Sequence, residues 1–368
     1  MKLSWRKVMR RVTQSAIYPW LRGLVYVLAS LFIFGMWATD SREFVSLNGY
    51  YRATLLDMVE GTAYRPFAYR CLVPAIVRSA LAILPASGHA WLVEGVGRLG
   101  PVQRGLVYLS WDQADLAVFL FSLGVMYAFL LGFVYALRQL VRDLFEGPDW
   151  FRDVAALAAL AVLPVFFKRG THLIYDPATL CLFTLGLVLL YGGSWRWYYV
   201  VFAVGVLNKE TMILLTVLMV IWGWRRMRRR DLGWHLLLQV TIFAVLKLCV
   251  NWLYRDNLGG LFEPHLYENL RLYMRPYWFG AVWDCLAIVL LIGWHWDEKP
   301  RFLRSALTLL ILLVPLYLVA GGYGEIRAFY ELFPVLFLLG WQSVCEILGW
   351  PLKPMEGGPD RLLEDNGT

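Results

Sequence analysis

Residues 197–230, WYYVVFAVGVLNKETMILLTVLMVIWGWRRMRRR, contain the pattern that decides the fold. Two apolar runs meet at the polar tripeptide Asn208-Lys209-Glu210, and an arginine cluster follows at 225–230. Apolar runs of this kind form helices in a bilayer, and short segments rich in Lys and Arg stay on its cytoplasmic side. The stretch therefore predicts two short membrane helices, or one broken helix, with the arginine cluster in the cytoplasm.

The composition of the whole chain agrees with this prediction. Of its 368 residues, 59% are hydrophobic and 17% are charged. Because this leaves too little polar surface to cover a water-soluble globule, a soluble enzyme is excluded. The formal charge of +8 follows the predicted membrane segments, so it does not indicate nucleic-acid binding. The five cysteines have no paired spacing, so neither a disulfide framework nor a cysteine metal site is indicated.

About ten apolar segments could cross a bilayer within a packed bundle, which predicts an all-α, polytopic membrane protein. Their ranges are 20–38, 114–137, 153–167, 177–193, 197–207, 210–224, 234–253, 277–294, 303–320 and 326–347. Placing the basic N-terminal stretch and the arginine cluster in the cytoplasm orients these segments, and both chain termini are then cytoplasmic. We expect the first helix to be retained, not cleaved as a signal peptide.

The loops of this topology differ in size. The largest is the first outer loop, 39–113, in which residues 71–84 are expected to form a helix lying along the outer membrane surface. We expect residues 1–352 to form a single transmembrane domain. The polar residues 353–368 are expected to be a disordered cytoplasmic tail.

The unusual polar residues of the chain fall at or just beyond the outer ends of the predicted helices. They are Asp40, Asp57, Arg65, Arg70, His172, Asp176, Lys209, Glu210, Glu263, His265, Glu325 and Arg327. The topology rests on other residues, so this grouping predicts a functional site at the outer membrane face.

Two groups in the first outer loop have both a chemical and a structural interpretation. Asp40 directly follows the first predicted helix, where partial desolvation beside Trp37 would suit a general base, although it could instead cap the helix. Arg65 and Arg70 lie among aromatic residues in YRPFAYR (64–70). Arginine can bind phosphate through two donors, but a belt of snorkelling side chains at the interface has the same composition.

Charged residues at two other helix ends could also bind an anion. Lys209 and Glu210 interrupt an apolar stretch, and adjacent residues on a helix do not face one another, so each is expected to have a partner elsewhere. Arg327 either pairs with Glu325 or joins Arg70 and Lys209 in a cationic pocket for a phosphate.

The remaining candidates have simpler interpretations. Asp176 precedes Pro177 and is expected to cap the next helix, not to share a metal with His172. His265, in an outer loop, is expected to be a surface residue. The charges predicted to lie inside helices, where they could pair with one another, are Lys247, Asp284 and Glu331.

Short motifs accompany this layout. An Asp follows the first helix, a long outer loop contains a surface helix, and the last helix opens with E-x-R-x-x-x-x-x-x-P from Glu325 to Pro334. In these features the chain resembles the GT-C superfamily of membrane glycosyltransferases. It is also similar to bacterial polytopic proteins of unassigned activity that carry R-P-F-x-Y-R and N-[KR]-E-T, here at 65–70 and 208–211.

The resemblance implies an inverting glycosyltransferase of the bacterial inner membrane that takes a sugar from a polyprenyl phosphate or pyrophosphate. Asp40 would be the base that deprotonates the acceptor, and Arg327 would contact the donor phosphate. Many members have paired acids in the first loop, whereas the nearest acid to Asp40 here is Glu43. The sequence therefore does not indicate a site for the divalent cation that the resemblance would allow, and the cofactor is unknown. The other residues expected to bind substrate are Arg65, Arg70, Asp176, Lys209, Glu210, His265 and Glu325.

Three other functions fit the same sequence. A polysaccharide polymerase or ligase would use the same lipid carriers but depend on Arg65, Arg70 and His265 more than on Asp40. A transporter or flippase would need access from both sides, and no inverted repeat supports it. A non-catalytic subunit of a membrane complex would use its buried charges as contact points. The expected partners are the lipid-linked donor and membrane lipid, without nucleic acid.

Overall fold

The computed structural model describes residues 15–39, 50–166, 173–273, 279–322, 326–350 and 352–355. Within these ranges the regular structure is helical, and β-pairing is confined to two isolated bridges, Arg65 with Gly259 and Phe145 with Pro354. The prediction of an all-α chain is confirmed. The predicted tail lies almost entirely outside the described residues.

Helices follow one another along the chain, separated by short turns. In chain order the α-helices of the described residues are α1 (Tyr18–Thr39), α2 (Leu55–Glu60), α3 (Leu72–Ile83), α4 (Ala86–Ala90), α5 (Gly100–Leu109), α6 (Leu116–Leu144), α7 (Asp149–Val162), α8 (Asp176–Tyr191), α9 (Trp195–Asn208), α10 (Leu214–Gly223), α11 (Arg229–Leu253), α12 (Leu266–Tyr273), α13 (Phe279–Gly293), α14 (Arg301–Leu307), α15 (Leu310–Ala320) and α16 (Phe333–Ile347). Pro177 and Pro334 lie in the first turns of α8 and α16, where a missing N–H breaks no helical hydrogen bond.

Several helices could cross a membrane. Those long and apolar enough on their own are Tyr18–Ala38, Gln113–Leu144, Arg229–Leu253 and Arg301–Ala320. Shorter apolar helices are Asp176–Tyr191, Glu210–Gly223 and Phe333–Ile347. The described part of the chain thus contains four such spanning helices, or five if the bent pair described below forms one, and the larger predicted number stays a prediction.

The helix expected at 71–84 is present as α3, Leu72–Ile83. The segment that follows it, Ala86–Arg98, turns away by 108°, and the two segments together are apolar enough to be a broken span or a re-entrant loop. Val73 and Val77 of α3 are fully buried. One face of α3 therefore packs against the protein, whatever its position relative to the membrane surface.

Helix α8 lies at the centre of the bundle, packed between α6 and α9, and nearly all of its residues are buried. Small residues permit the close approach. A Cβ atom on Gly132 of α6 would lie 2.9 Å from Cys181 Sγ, and one on Gly186 of α8 would lie 2.3 Å from Leu215 Cδ1. Helices in a membrane gain much of their association energy from such packing. The centre of the bundle is consequently closely packed and apolar.

Contacts between helix termini define two ends of the bundle. At one end, Trp195 begins α9 and packs against His235 near the start of α11, with 4.1 Å between the two ring centroids. At the same end Tyr191, which closes α8, lies 6.1 Å from Trp222 near the end of α10. We call this the arginine end, because the cluster at 225–230 follows α10 there. The opposite termini of these helices meet at what we call the network end.

The outer surface of α11 is strongly apolar. Leu237, Leu248 and Trp252 are each more than half exposed, at 55%, 68% and 69%. A soluble protein rarely leaves such a continuous apolar face open to water. The face of α11 is therefore suited to contact with lipid chains.

Candidate functional site

Seven charged side chains from five parts of the chain meet at the network end. We call them the ion-pair network, and within the described residues they are Arg70, Asp176, Lys209, Glu210, Lys247, Arg327 and Glu331. Charged groups buried among apolar helices are costly unless they pair, and they mark functional positions in membrane proteins. The geometry of each pair is therefore informative.

Arg70 follows the 3₁₀ turn Phe67–Tyr69 and reaches inward, with 14% of its side chain exposed. Its Nη2 donates to Glu210 Oε1 at 3.2 Å, and its Nη1 donates to the Tyr175 hydroxyl. The guanidinium carbon lies 4.5 Å from the centroid of the Tyr175 ring. Arg70 thus links the segment between α2 and α3 to the start of α8 and to the break after α9.

Lys209 occupies the break between α9 and the 3₁₀ turn Glu210–Ile213, with extended backbone angles of φ −159° and ψ 137°. Asn208 holds this break in place, because its Nδ2 donates to the Tyr175 carbonyl oxygen at 3.1 Å and to Thr179 Oγ1 at 2.9 Å. The predicted choice between a broken helix and two helices is resolved here, since α9 and α10 are separate helices.

Lys209 and Glu210 have different partners. The Lys209 Nζ atom lies 2.8 Å from Glu331 Oε1, an oxygen that also accepts from the Thr211 hydroxyl. Glu210 instead pairs with Arg70 and, through Oε2 at 3.4 Å, with Lys247 of α11. The prediction that each of these neighbours has a partner elsewhere in the chain is confirmed.

Asp176 is the first residue of α8. Its Oδ2 accepts from the Leu173 backbone N–H at 3.0 Å and lies 3.4 Å from Arg327 Nη1. The expected helix-capping role is wrong in detail, because the cap position is Tyr175 and the Asp176 carboxylate bonds backward in the chain and to Arg327.

A small apolar cavity joins the end of α1 to this site. Trp37 and Phe34 of α1 line it together with Asp176 and Tyr330. Helix α1 ends two residues later, at Thr39. The last turn of the first helix therefore lies beside the Asp176 carboxylate.

The described residues of the network include more cations than carboxylates. Among the described residues it contains four cations, Arg70, Lys209, Lys247 and Arg327, and three carboxylates, Asp176, Glu210 and Glu331. The atoms sealed from solvent without a hydrogen-bond partner in the described structure include Arg70 Nε and Glu331 Oε2. A group that presents both an anionic oxygen and a donor would complement this arrangement.

Electrostatic coupling extends across the network. Burial lowers the pKa of Arg70, but Tyr175 and Glu210 raise it, and the pKa is raised overall. The positive charge of Arg327 opposes that rise in the pKa of Arg70. An anion bound by Arg70 and Arg327 would offset this repulsion between like charges.

Arg65 and His265 contact residues of the loop after α11 and of the start of α12 instead of the network. The Arg65 backbone N–H donates to the Leu258 carbonyl oxygen at 2.7 Å, and Nη2 donates to the Gly259 carbonyl oxygen at 2.8 Å. His265 Nδ1 lies 2.9 Å from Glu268, and its Nε2 lies 3.6 Å from Glu263. These contacts fix the loop that follows α11. Asp40, His172 and Glu325 lie outside the described residues.

The sequence did not single out Tyr175, although it bonds both Arg70 and Asn208. The only sequence feature that could have indicated Tyr175 is its position immediately before Asp176, at the start of α8. Lys247 and Glu331 were expected to be buried charges, but the spacing of residues could not identify Glu210 and Lys209 as their partners.

The network carboxylates each face a cation, and the only group of three metal-ligating side chains found within the described residues lies elsewhere, at His295, Glu298 and Glu346. No protein-family model, curated protein or solved structure matches the chain. The chemistry of the site therefore rests on its own geometry.

Proposed function

We propose that the chain is a polytopic membrane glycosyltransferase of the GT-C type. It would transfer a sugar from a polyprenyl phosphate or pyrophosphate donor to an acceptor at the extracytoplasmic face of a bacterial inner membrane. In this proposal the network end faces outward, the arginine end faces the cytoplasm with both chain termini, and about ten helices cross the bilayer.

The observation that carries the proposal is the buried ion-pair network, which brings four cations to one end of the bundle among the described residues. Arg70 and Arg327 belong to the same network at the end of an apolar bundle, which is where the anionic headgroup of a lipid donor would enter. The exposed apolar faces of the neighbouring helices suit its hydrocarbon chain.

Asp40 is the proposed catalytic base. It is the next residue in the chain after Thr39, which ends α1 beside the network. The carboxylate would take the proton of the acceptor hydroxyl as that oxygen attacks the anomeric carbon. The bond from the anomeric carbon to the phosphate oxygen then breaks, and its electron pair leaves with the phosphate.

The network would stabilise the leaving phosphate. Negative charge grows on the phosphate as the glycosidic bond breaks, and Arg70, Lys209 and Arg327 would balance it. Their carboxylate partners hold these cations in place before the donor arrives. Such preorganised charge lowers the barrier more than mobile charge does.

The alternative of a polymerase or ligase predicts that Arg65 and His265 act on the substrate. In the described residues both side chains are already bonded to the loop after α11 or to its acidic residues. This favours a structural role for both and supports the glycosyltransferase over its rival.

The test is consumption of a lipid-linked sugar. Full-length protein in lipid nanodiscs is incubated with polyprenyl lipids from its producing cells, as the source of donor, and with an envelope extract of the same cells, as the source of acceptor, and the lipids are followed by mass spectrometry. We expect loss of a polyprenyl-phosphate sugar with release of the polyprenyl phosphate, abolished by D40N. The control D256N removes a carboxylate that is 90% exposed and should leave turnover intact. If the wild-type chain consumes no lipid-linked sugar, the proposal fails.

A further inference from the structure

A second cluster of titratable groups lies at the arginine end, in the turn between α13 and α14. His295 Nδ1 lies 3.3 Å from Glu346 Oε2 and 3.7 Å from Glu298 Oε1. One donor atom from each of these three residues lies within 4.8 Å of the other two. The network does not include any of them, so a separate explanation is required.

The separation of 3.3 Å between His295 and Glu346 matches that of neighbouring ligands in a metal centre, and the separation of 3.7 Å between His295 and Glu298 is slightly longer. Bonds of about 2.0–2.1 Å to Zn²⁺ at tetrahedral angles place neighbouring donor atoms about 3.3–3.4 Å apart. One imidazole and two carboxylates form a ligand set typical of zinc, with a fourth position open for water or another ligand. The ligand atoms are therefore already close to the positions that a Zn²⁺ ion requires.

The Glu346 carboxylate gives an independent indication of a ligand. Only 10% of this side chain is exposed, and its Oε2 is sealed from solvent without a hydrogen-bond donor in the described structure. The other oxygen, Oε1, accepts from Gln342 Nε2 at 3.4 Å. A buried carboxylate oxygen without a hydrogen bond is costly, and a cation facing it together with His295 would offset that cost.

The local fold holds the three ligands together. His295 adopts left-handed backbone angles, φ 48° and ψ 48°, and the 3₁₀ turn Trp296–Glu298 then brings Glu298 back toward the imidazole. The next residue, Lys299, is 2% exposed and donates from Nζ to the Leu339 carbonyl oxygen at 2.8 Å and to Ser343 Oγ at 2.5 Å. The turn is thereby fixed to α16, the helix that carries Glu346.

We propose that His295, Glu298 and Glu346 form a binding site for a divalent transition-metal ion, with Zn²⁺ as the best fit. Glu298 and Glu346 also line an open cavity of about 850 Å³, whose walls include Arg226, Arg304 and Lys353. The fourth coordination position is available to water or to an anion held in that cavity by these cations. The metal would tie the turn before α14 to the end of α16.

The test is direct metal binding by the full-length protein in detergent after treatment with a chelator. Isothermal titration calorimetry with Zn²⁺ should give one equivalent per chain, and Co²⁺ should give the visible absorption of a tetrahedral site. H295A and E298Q should each weaken Zn²⁺ binding by on the order of tenfold or more. Both side chains are more than half exposed, so these variants are expected to fold.

Two matched controls separate this site from adventitious binding. D297N changes a fully exposed carboxylate in the same turn and should leave the affinity unchanged. H265A removes another histidine that has two glutamate neighbours, but there the glutamates approach opposite ring nitrogens and cannot share one ion. If Zn²⁺ binding is absent, is unaffected by H295A and E298Q, or is lost in H265A instead, the proposal is overturned.

A direct contact of His295 with the two carboxylates, without a metal, is the competing explanation. It predicts no Zn²⁺ uptake and no visible absorption with Co²⁺, together with a melting temperature of the wild type that does not change when Zn²⁺ is added. That combination would also overturn the metal site. The test does not depend on glycosyl transfer, so its failure would leave the proposed enzymatic function standing.

Discussion

Lys209 and Glu331 form an ion pair of 2.8 Å in which the glutamate is completely buried. The pair joins the break after α9 to the segment that leads into α16, two parts of the chain that are far apart in sequence. The carboxylate also accepts from the Thr211 hydroxyl. The helix break at Lys209 is therefore fixed by a contact that no local sequence pattern encodes.

Removing one partner of this pair should destabilise the protein strongly. K209M leaves the Glu331 carboxylate buried without its cation, and breaking such a pair costs about 3–5 kcal/mol. We expect a clear fall in the melting temperature of the purified protein, measured by differential scanning fluorimetry. The control R255M removes an exposed pair with Asp256 and should change the melting temperature little.

The double variant K209M/E331L tests whether the pair serves stability or function. Two apolar side chains of similar volume often restore the stability that a single change removes. We expect K209M/E331L to recover most of the melting temperature while glycosyl transfer stays lost. Recovery of both stability and transfer would remove Lys209 from the proposed phosphate site.

The two ends of the bundle should face opposite sides of the membrane. In a variant lacking its five cysteines, single cysteines are introduced as D256C in the loop after α11 and as R228C in the arginine cluster. A membrane-impermeant maleimide should label D256C in intact cells and R228C only after permeabilisation. Labelling of both positions from the same side would contradict the proposed topology.

Local pattern was sufficient to predict the helical class and most helix positions. The apolar run at 71–84 predicted helix α3, whose observed bounds, Leu72–Ile83, differ by one residue at each end. The polar tripeptide at 208–210 predicted the break after α9. These features depend on residues close in sequence. The number of spans stays a prediction, because length and apolarity alone assign four helices or, with the bent pair, five.

The partners of the buried charges could not be predicted in the same way. Lys209 meets Glu331, and Arg70 meets Tyr175, only because α8, α9 and α16 converge at one end of the bundle. Pairing of this kind depends on packing between distant segments. The His295 cluster was missed for the same reason, since Glu346 reaches it from another helix.

Lys299 should make stability depend on alkaline pH. Burial lowers the pKa of its ammonium below the ordinary value of 10.5, although Glu346 and Glu298 oppose the change. Lys299 thus has a lowered pKa in the folded chain and its ordinary pKa of 10.5 in the unfolded chain. Between these two values the unfolded chain binds more protons than the folded one, so the free energy of unfolding rises with pH. We expect the melting temperature of the wild type to rise relative to K299M as the pH approaches 10.5. A difference that stays constant from neutral to alkaline pH would contradict this effect of burial.

Arg70 should determine recognition of the phosphate group. R70K keeps the charge but loses the planar arrangement of donors that reaches both Tyr175 and Glu210. We expect the affinity for undecaprenyl phosphate in nanodiscs, measured by native mass spectrometry, to fall by about tenfold or more, while undecaprenol binds weakly to both proteins. The matched control R78K changes an arginine that contacts Tyr254 and the Glu60 carbonyl oxygen, outside the network, and should bind undecaprenyl phosphate as the wild type does. Equal losses in R70K and R78K, or equal binding of the alcohol and the phosphate, would show that the network does not recognise the lipid headgroup.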